Sequence, residues 1–457
     1  MEPRIGRGKS AERDALVRNT VAVALVALCV WGVCGGCSGP GDKPETLQEY
    51  MDEYNARMRK ANSVPTVVGA LERARKLMAK KDLSPKAYGE LSVRNAVWSI
   101  AKARKREDWV LKELRESVAL NRTALAEIRK ARHLPAGMVQ LDVGNEELEK
   151  LLSFQRDVRT LQWRVHHAAL LRLAEGDAKE ALDFVSDMLT LEKAFREAPS
   201  MVSQLRRVSL ESLTNSLLLC TALSGGLEAS QLDAVAARLK GAQVSLPWVL
   251  RRTLRFERAY TLNALDEMAA WDDKRVAKYL SDFYAHAKKM RDVLREEMPK
   301  LKKLTVKDFR ERLPRERRAI AAYFQDVQQA LDEPGARLPD KGMLEPLFTD
   351  PLSMPMGCGL YHRVLLEAAA RRRAAVGLLR VLAFRARNGR LPRAGEITPQ
   401  EDPFRPGERM VYKHDKKLNR VGVYSQGWDE AQAKKDDPHM IGYWLVVERT
   451  QAGRGGR

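Results

Sequence analysis

Metal binding and acid–base catalysis draw first on histidine, and this chain has seven: His133, His166, His167, His286, His362, His414 and His439. None stands three or four residues from another, the spacing that puts two imidazoles over one ion on a helix face. His166 and His167 are adjacent and point to different faces of a helix, so they cannot simply share an ion. Each histidine is expected at the surface or at the edge of the core. The paired carboxylates Glu146–Glu147 and Glu296–Glu297 lie in highly charged stretches, where solvated ion pairs are the rule. Glu257 differs, because the residues around it, LRFERAYTLNAL, are mostly apolar. A buried glutamate can act as a general acid, but pairing with Arg251 or Arg258 is the expected role. There is no His-Glu-x-x-His, no Gly-x-Ser-x-Gly elbow and no Walker loop. We assign no catalytic residue from these patterns.

The cysteines carry more information. Residues Asn19 to Gly41 form an uncharged run with the apolar core VAVALVALCVWGV from Val21 to Val33. Arg4, Arg7, Lys9, Arg13 and Arg18 precede it. A basic leader, a short apolar core and then small residues is the build of an export signal. The core is shorter than the roughly 20 apolar residues of a spanning helix. Cys37 follows Gly35 and Gly36, as the lipidated cysteine of a bacterial lipoprotein signal follows two small residues. The third residue upstream is Cys34, where such signals carry leucine or valine. Three fates are open: lipidation at Cys37, plain cleavage, or an uncleaved anchor. Cys220 and Cys358 remain downstream. Cys220 lies in the apolar LLLCTAL and reads as a buried thiol. Export to an oxidising compartment would allow a Cys220–Cys358 disulfide. No Cys-x-x-Cys follows the signal, so neither a redox motif nor a zinc cluster is supported.

The elements that must position these residues are mostly helical. From residue 44 to 332 apolar residues recur three and four apart, as in Val110, Leu111, Leu114 and Val118, or Val158, Leu161 and Val165. Pro65, Pro85, Pro135, Pro199, Pro247 and Pro314 mark helix starts or gaps between helices. About ten helices are expected, many paired as antiparallel hairpins. Residues 157–195 contain one hairpin, broken at Ala174-Glu175-Gly176-Asp177, that is similar to a tetratricopeptide hairpin. The 34-residue unit does not repeat with fidelity. Five prolines between 333 and 359 form a joint. A basic helix follows over about 360–388, and residues 408–413, 419–425 and 440–448 read as three strands. The expected organisation is a signal (1–36), a tether (37–43), a helical domain (44–332), the joint (333–359), a helix with a three-stranded antiparallel sheet (360–450), and a disordered tail (451–457). The fold class is mainly α with a small α+β tail domain.

The tail carries an ordered set of motifs. It runs from Asn388-Gly389-Arg390-Leu391-Pro392 through Asp402-Pro403-Phe404 and Arg409-Met410-Val411-Tyr412 to Ser425-Gln426-Gly427-Trp428-Asp429. Asn388-Gly389 can end a helix with a left-handed residue, and Asp402 can bond backbone amides in a turn. Phe404 and Tyr412 can pack on the helix. Over roughly 70 residues this order resembles the C-terminal region of the type II secretion major pseudopilin, and of uncharacterised bacterial envelope proteins with a long helical body. The prepilin processing pattern is missing at the N-terminus, so the resemblance implies a shared tail fold and not polymerisation. It also implies a calcium site in the closing loop, where Asp429, Asp436 and Asp437 would be the ligands. Lys434 and Lys435 lie inside that cluster.

The net charge is +20, with basic and acidic residues interspersed along the whole chain. That pattern suits an arginine-rich helical surface, with contact to an anionic polymer as the rival reading. Export and the absence of any nucleic-acid signature disfavour nucleic acid. The expected function is non-enzymatic: a membrane-tethered protein of the cell envelope, facing the periplasm or the cell surface, that binds or scaffolds another envelope protein. The alternatives are a pseudopilin-related accessory of a secretion apparatus, and a hydrolase or lyase acting on envelope polymers.

Overall fold

The computed structural model describes residues 46–79, 83, 108–139, 145–294, 304–331, 338, 358–415, 420–427 and 441–446. The protein is mainly helical, with a small antiparallel β region at its C-terminal end. Local sequence explains where helices begin. In α1 (Leu47–Ala61) Thr46 and Glu49 cap each other reciprocally, and Thr66 caps α2 (Val67–Lys76). Helices α3 (Asp108–Leu120) and α4 (Arg122–Lys130) follow. Helix α5 (Asn145–Ala174) turns into α6 (Ala178–Lys193), where Asp177 accepts the Glu180 amide at 2.8 Å. Ser200 caps α7 (Met201–Leu223), α8 (Ala229–Gly241) follows, and Pro247 opens α9 (Leu246–Ala270). Next come α10 (Asp273–Leu294), α11 (Val306–Ala330) and α12 (Cys358–Asn388).

Pro314 was expected at a boundary, yet it lies inside α11. A proline there removes one helical hydrogen bond and crowds the preceding turn. Phe309 and Leu313 before it, and Ile320, Tyr323 and Phe324 after it, are all buried in one core, so packing holds both halves in line.

The long helix α12 joins the parts. Its Val376, Leu379 and Ala383 are buried in the same core as α5, α6 and α7. Its Leu366, Ala370, Ala374, Leu378 and Val381 pack with Phe404, Met410, Val421 and Val423 of the tail. The helix expected to belong with the tail sheet is therefore also a wall of the helical body. Burying a valine or leucine contributes roughly 1.5–3 kcal/mol.

The tail strands are β1 (Glu401–Asp402) paired with β2 (Arg405–Arg409), and an antiparallel sheet of β3 (Val411–Asp415), β4 (Arg420–Ser425) and β5 (Ile441–Val446) in chain order. Two expected strands correspond to β4 and β5. The third, 408–413, is split at Met410: its start belongs to the β1–β2 ribbon and its end to β3. Met410 is buried and donates its N–H to Gln400, which turns the chain from one pair to the next. Val421 and Val423 share one face of β4 and lie against α12, as a strand's two-residue period requires.

Candidate functional site

The tail motifs close on one another. Gly389 sits at φ +67°, and its N–H bonds to the Arg385 carbonyl, ending α12 as Asn388-Gly389 led us to expect. Asp402 Oδ1 accepts the Phe404 amide at 3.0 Å and the Ser425 hydroxyl at 2.7 Å. Ser425 Oγ in turn accepts the Gly427 amide at 3.0 Å. Arg405 Nε reaches the Gly427 carbonyl at 2.9 Å, and the Tyr412 hydroxyl donates to the Pro392 carbonyl at 2.9 Å. All of these groups are consumed in holding turns together, so the cluster is structural.

A buried charge network lies where α12 crosses the body. Arg372 is 2 % exposed and donates to Glu192 of α6 at 2.7 Å and to Glu211 of α7 at 3.0 Å. Arg207 donates to the other Glu211 oxygen at 3.2 Å. Burial pushes the Glu192 carboxyl up, against the pull of Arg372. A recess of about 340 Å³ adjoins this network, walled by Leu250, Leu365, His362 and Phe404. Burial pushes the His362 imidazole down to about 4. Sequence reasoning missed Arg372, because an arginine within AAARRRAA reads as surface.

An assembly of polar and aromatic groups lies between α1 and the first turns of α9. Tyr50, Glu53, Tyr54 and Arg57 line it from α1, and Trp248, Arg251, Arg252 and Arg255 from α9, around a cleft of about 360 Å³. Both sets follow helical spacing, which puts each on a single helix face. Arg252 is anchored to Glu197 at 2.7 Å and to the Arg196 carbonyl at 2.7 Å, and its guanidinium lies 4.0 Å from the centre of the Trp248 ring. Arg255 pairs with Glu53 and lies 5.3 Å from the Tyr50 ring. Glu53 also approaches Arg57 at 3.8 Å. The Arg255 hydrogen bond holds the Glu53 carboxyl below its usual range. Trp248 is 38 % exposed, unusual for so large an apolar side chain. Ser245 and Pro247 at the start of α9 also line the cleft, and Ser245 makes no side-chain cap there.

The residues singled out from sequence fall elsewhere. Cys220 and Cys358 are thiols buried in two different cores, and the disulfide between them does not form. Each is enclosed by its own helix packing, and burial pushes both thiols up to about 12, where they are inert. His166, His167 and His362 are buried rather than peripheral; the first two ring-pack with Trp163. Glu257 pairs with neither Arg251 nor Arg258 in the way expected: its carboxylate accepts the Met201 amide at 2.6 Å, at the start of α7. Burial pushes that carboxyl up to about 7. Cys37, Asp429, Asp436 and Asp437 lie outside the described residues. Among the described residues no group of three His, Cys, Asp or Glu is placed to hold a metal, and no helix is long and apolar enough to cross a membrane. Comparison with protein families, with curated proteins and with solved structures gave no match.

Proposed function

We propose that this chain is an exported, membrane-tethered protein of the cell envelope that binds another envelope protein without catalysing a reaction. The observation that carries the reading is the α1–α9 cleft. Arginine, tryptophan and tyrosine are the side chains that dominate protein–protein hot spots, and here exposed Trp248 and Arg251 stand over buried Tyr50, Tyr54 and Arg252 in one cleft. Two helices whose inner faces are buried in the cores hold it, which limits the ordering cost of binding. The basic leader and apolar core before Cys37 support export, and lipidation at Cys37 would supply the tether. A photo-cross-linker placed at position 248 should give a discrete adduct in intact envelopes, and one at exposed Lys240 on α8 should not. Equal labelling at both positions would sink the reading. Mass spectrometry of the mature N-terminus decides between lipidated Cys37, simple cleavage and an uncleaved anchor.

A second reading, a pseudopilin-related accessory of a secretion apparatus, is favoured by one observation: the Asp402–Ser425 bond ties together the motifs that carry the resemblance. It requires calcium at Asp429, Asp436 and Asp437. A rise in melting temperature with calcium, reversed by chelator and lost in Asp436→Asn, supports that reading; no shift removes it.

A further inference from the structure

We propose that the recess between α9, α12 and the turn at 402–406 binds an uncharged, mainly apolar small molecule through a carbonyl oxygen placed on Arg372. This goes beyond the protein-binding role above, which can stand or fall without it.

The space comes first. The recess holds about 340 Å³, whereas a packed interior leaves few voids larger than a water molecule. Sites for small organic molecules span about 300–1,000 Å³. Leu246, Leu331, Ala369 and Pro403 present half-buried apolar surface to it, and Leu250 and Leu365 line it while almost fully buried. Such walls favour an apolar body that displaces water from them.

Arg372 supplies the polar group. It lines the recess and is 2 % exposed. Its Nη2 and Nε donate to Glu192 and Glu211. Its Nη1 is buried and has no hydrogen-bond partner among the described residues. A buried donor left unpaired is costly, so a ligand oxygen that accepts from it removes a penalty the empty site carries.

Charge selects an uncharged ligand. Arg207 and Arg372 balance Glu192 and Glu211 within the network. Arg373 lies beside Glu401 and Asp402 at the rim, and these two acids already accept the Gly407 and Phe404 amides. Burial keeps His362, also in the wall, neutral above about pH 4. An added carboxylate would therefore face Glu211 with no cation to spare, and an added ammonium would face Arg207 and Arg372. A carbonyl oxygen accepts a hydrogen bond and brings no charge.

The test uses the full chain and three probes on one skeleton: 4-phenylbutanamide, 4-phenylbutanoate and 4-phenylbutylamine, followed by saturation-transfer NMR and titration calorimetry. The amide should bind saturably, and the carboxylate and the amine at least about tenfold more weakly. Ala369→Phe narrows the recess from a half-buried position and removes no charge. It should abolish amide binding with an unchanged melting temperature. Arg372→Met combined with Glu192→Gln and Glu211→Gln removes the anchor without stranding a charge. That variant should keep its helical circular-dichroism signal and bind the amide about tenfold more weakly. The proposal is overturned if the amide does not bind saturably, if the carboxylate or the amine binds as tightly, or if Ala369→Phe still binds the amide. It is also overturned if the triple variant folds and binds the amide as the parent does; if that variant fails to fold, the probe series and Ala369→Phe decide.

Discussion

Arg372 neutralises two carboxylates in the interior from a position 161 residues beyond one and 180 beyond the other. Removing it leaves Glu192 and Glu211 buried with too little positive charge, which costs about 3–5 kcal/mol in comparable networks. Arg372→Met should lose that much in chemical denaturation. Adding Glu192→Gln and Glu211→Gln should restore most of it, because the unpaired charges go too. Glu257 gives a second test at this scale. Its folded pKa, about 7, lies above its ordinary 4.5, so the folded protein holds the proton more tightly than the unfolded chain. The resulting stability is complete below about pH 4.5 and is lost as pH rises through about 7. Glu257→Gln keeps an acceptor for the Met201 amide and cannot titrate. Its stability should change between about pH 5 and about pH 8 by roughly 2 kcal/mol less than that of the parent protein. His362, depressed to about 4, has the opposite sign and loses its contribution as pH falls below about 6.5. The apolar setting of Glu257 was legible in its neighbours. Its partner was not, since a backbone amide 56 residues away leaves no trace in sequence.

Elements were legible to the extent that their signals are local. Pro65, Pro199 and Pro247 stood at the starts of α2, α7 and α9, the Ala174–Asp177 break at the turn before α6 and Asn388-Gly389 at the end of α12, and period changes marked β4 and β5. Pro314 misled because a steric rule for one residue is weaker than two buried helix halves. The β1–β2 ribbon was missed because RPGER has no apolar alternation and is exposed along most of its length. Two glycines then decide how closely elements approach. A Cβ at Gly377 of α12 would meet the Val423 methyls at 3.0 and 3.2 Å, a contact a side chain can relax. A Cβ at Gly442 of β5 would collide with the Val423 carbonyl oxygen and meet the Tyr424 Cα at 2.6 Å, both of which are backbone. Gly377→Ala should cost about 1–2 kcal/mol, and Gly442→Ala clearly more. Thermal melts of the two variants, with limited proteolysis of the tail, check the order; equal costs would contradict it.

At the scale of the molecule, α12 makes body and tail interdependent. The apolar pattern of 44–332 suggested a helical domain complete in itself. Yet Val376, Leu379, Ala383 and Arg372 fill the interior against α6 and α7. A chain ending at 332 would expose that seam and leave Glu192 and Glu211 without Arg372. It should lose cooperative unfolding and expose apolar surface, seen as dye binding and a broadened melt, whereas the full chain should unfold with body and tail together. A truncated chain with a sharp, unshifted melt would contradict this. By itself the sequence determined the helical class, the stop of α12 and the strands β4 and β5, because turn residues and periods depend on residues within a few positions of one another. Only the tertiary structure decided that the two cysteines lie in different cores, that Arg372 carries the buried charge, and that α1 and α9 share a cleft. Helical spacing tells which residues share a face and is silent on which faces meet. That choice belongs to packing between segments far apart in the chain, as Glu53 and Arg255 are at 202 residues.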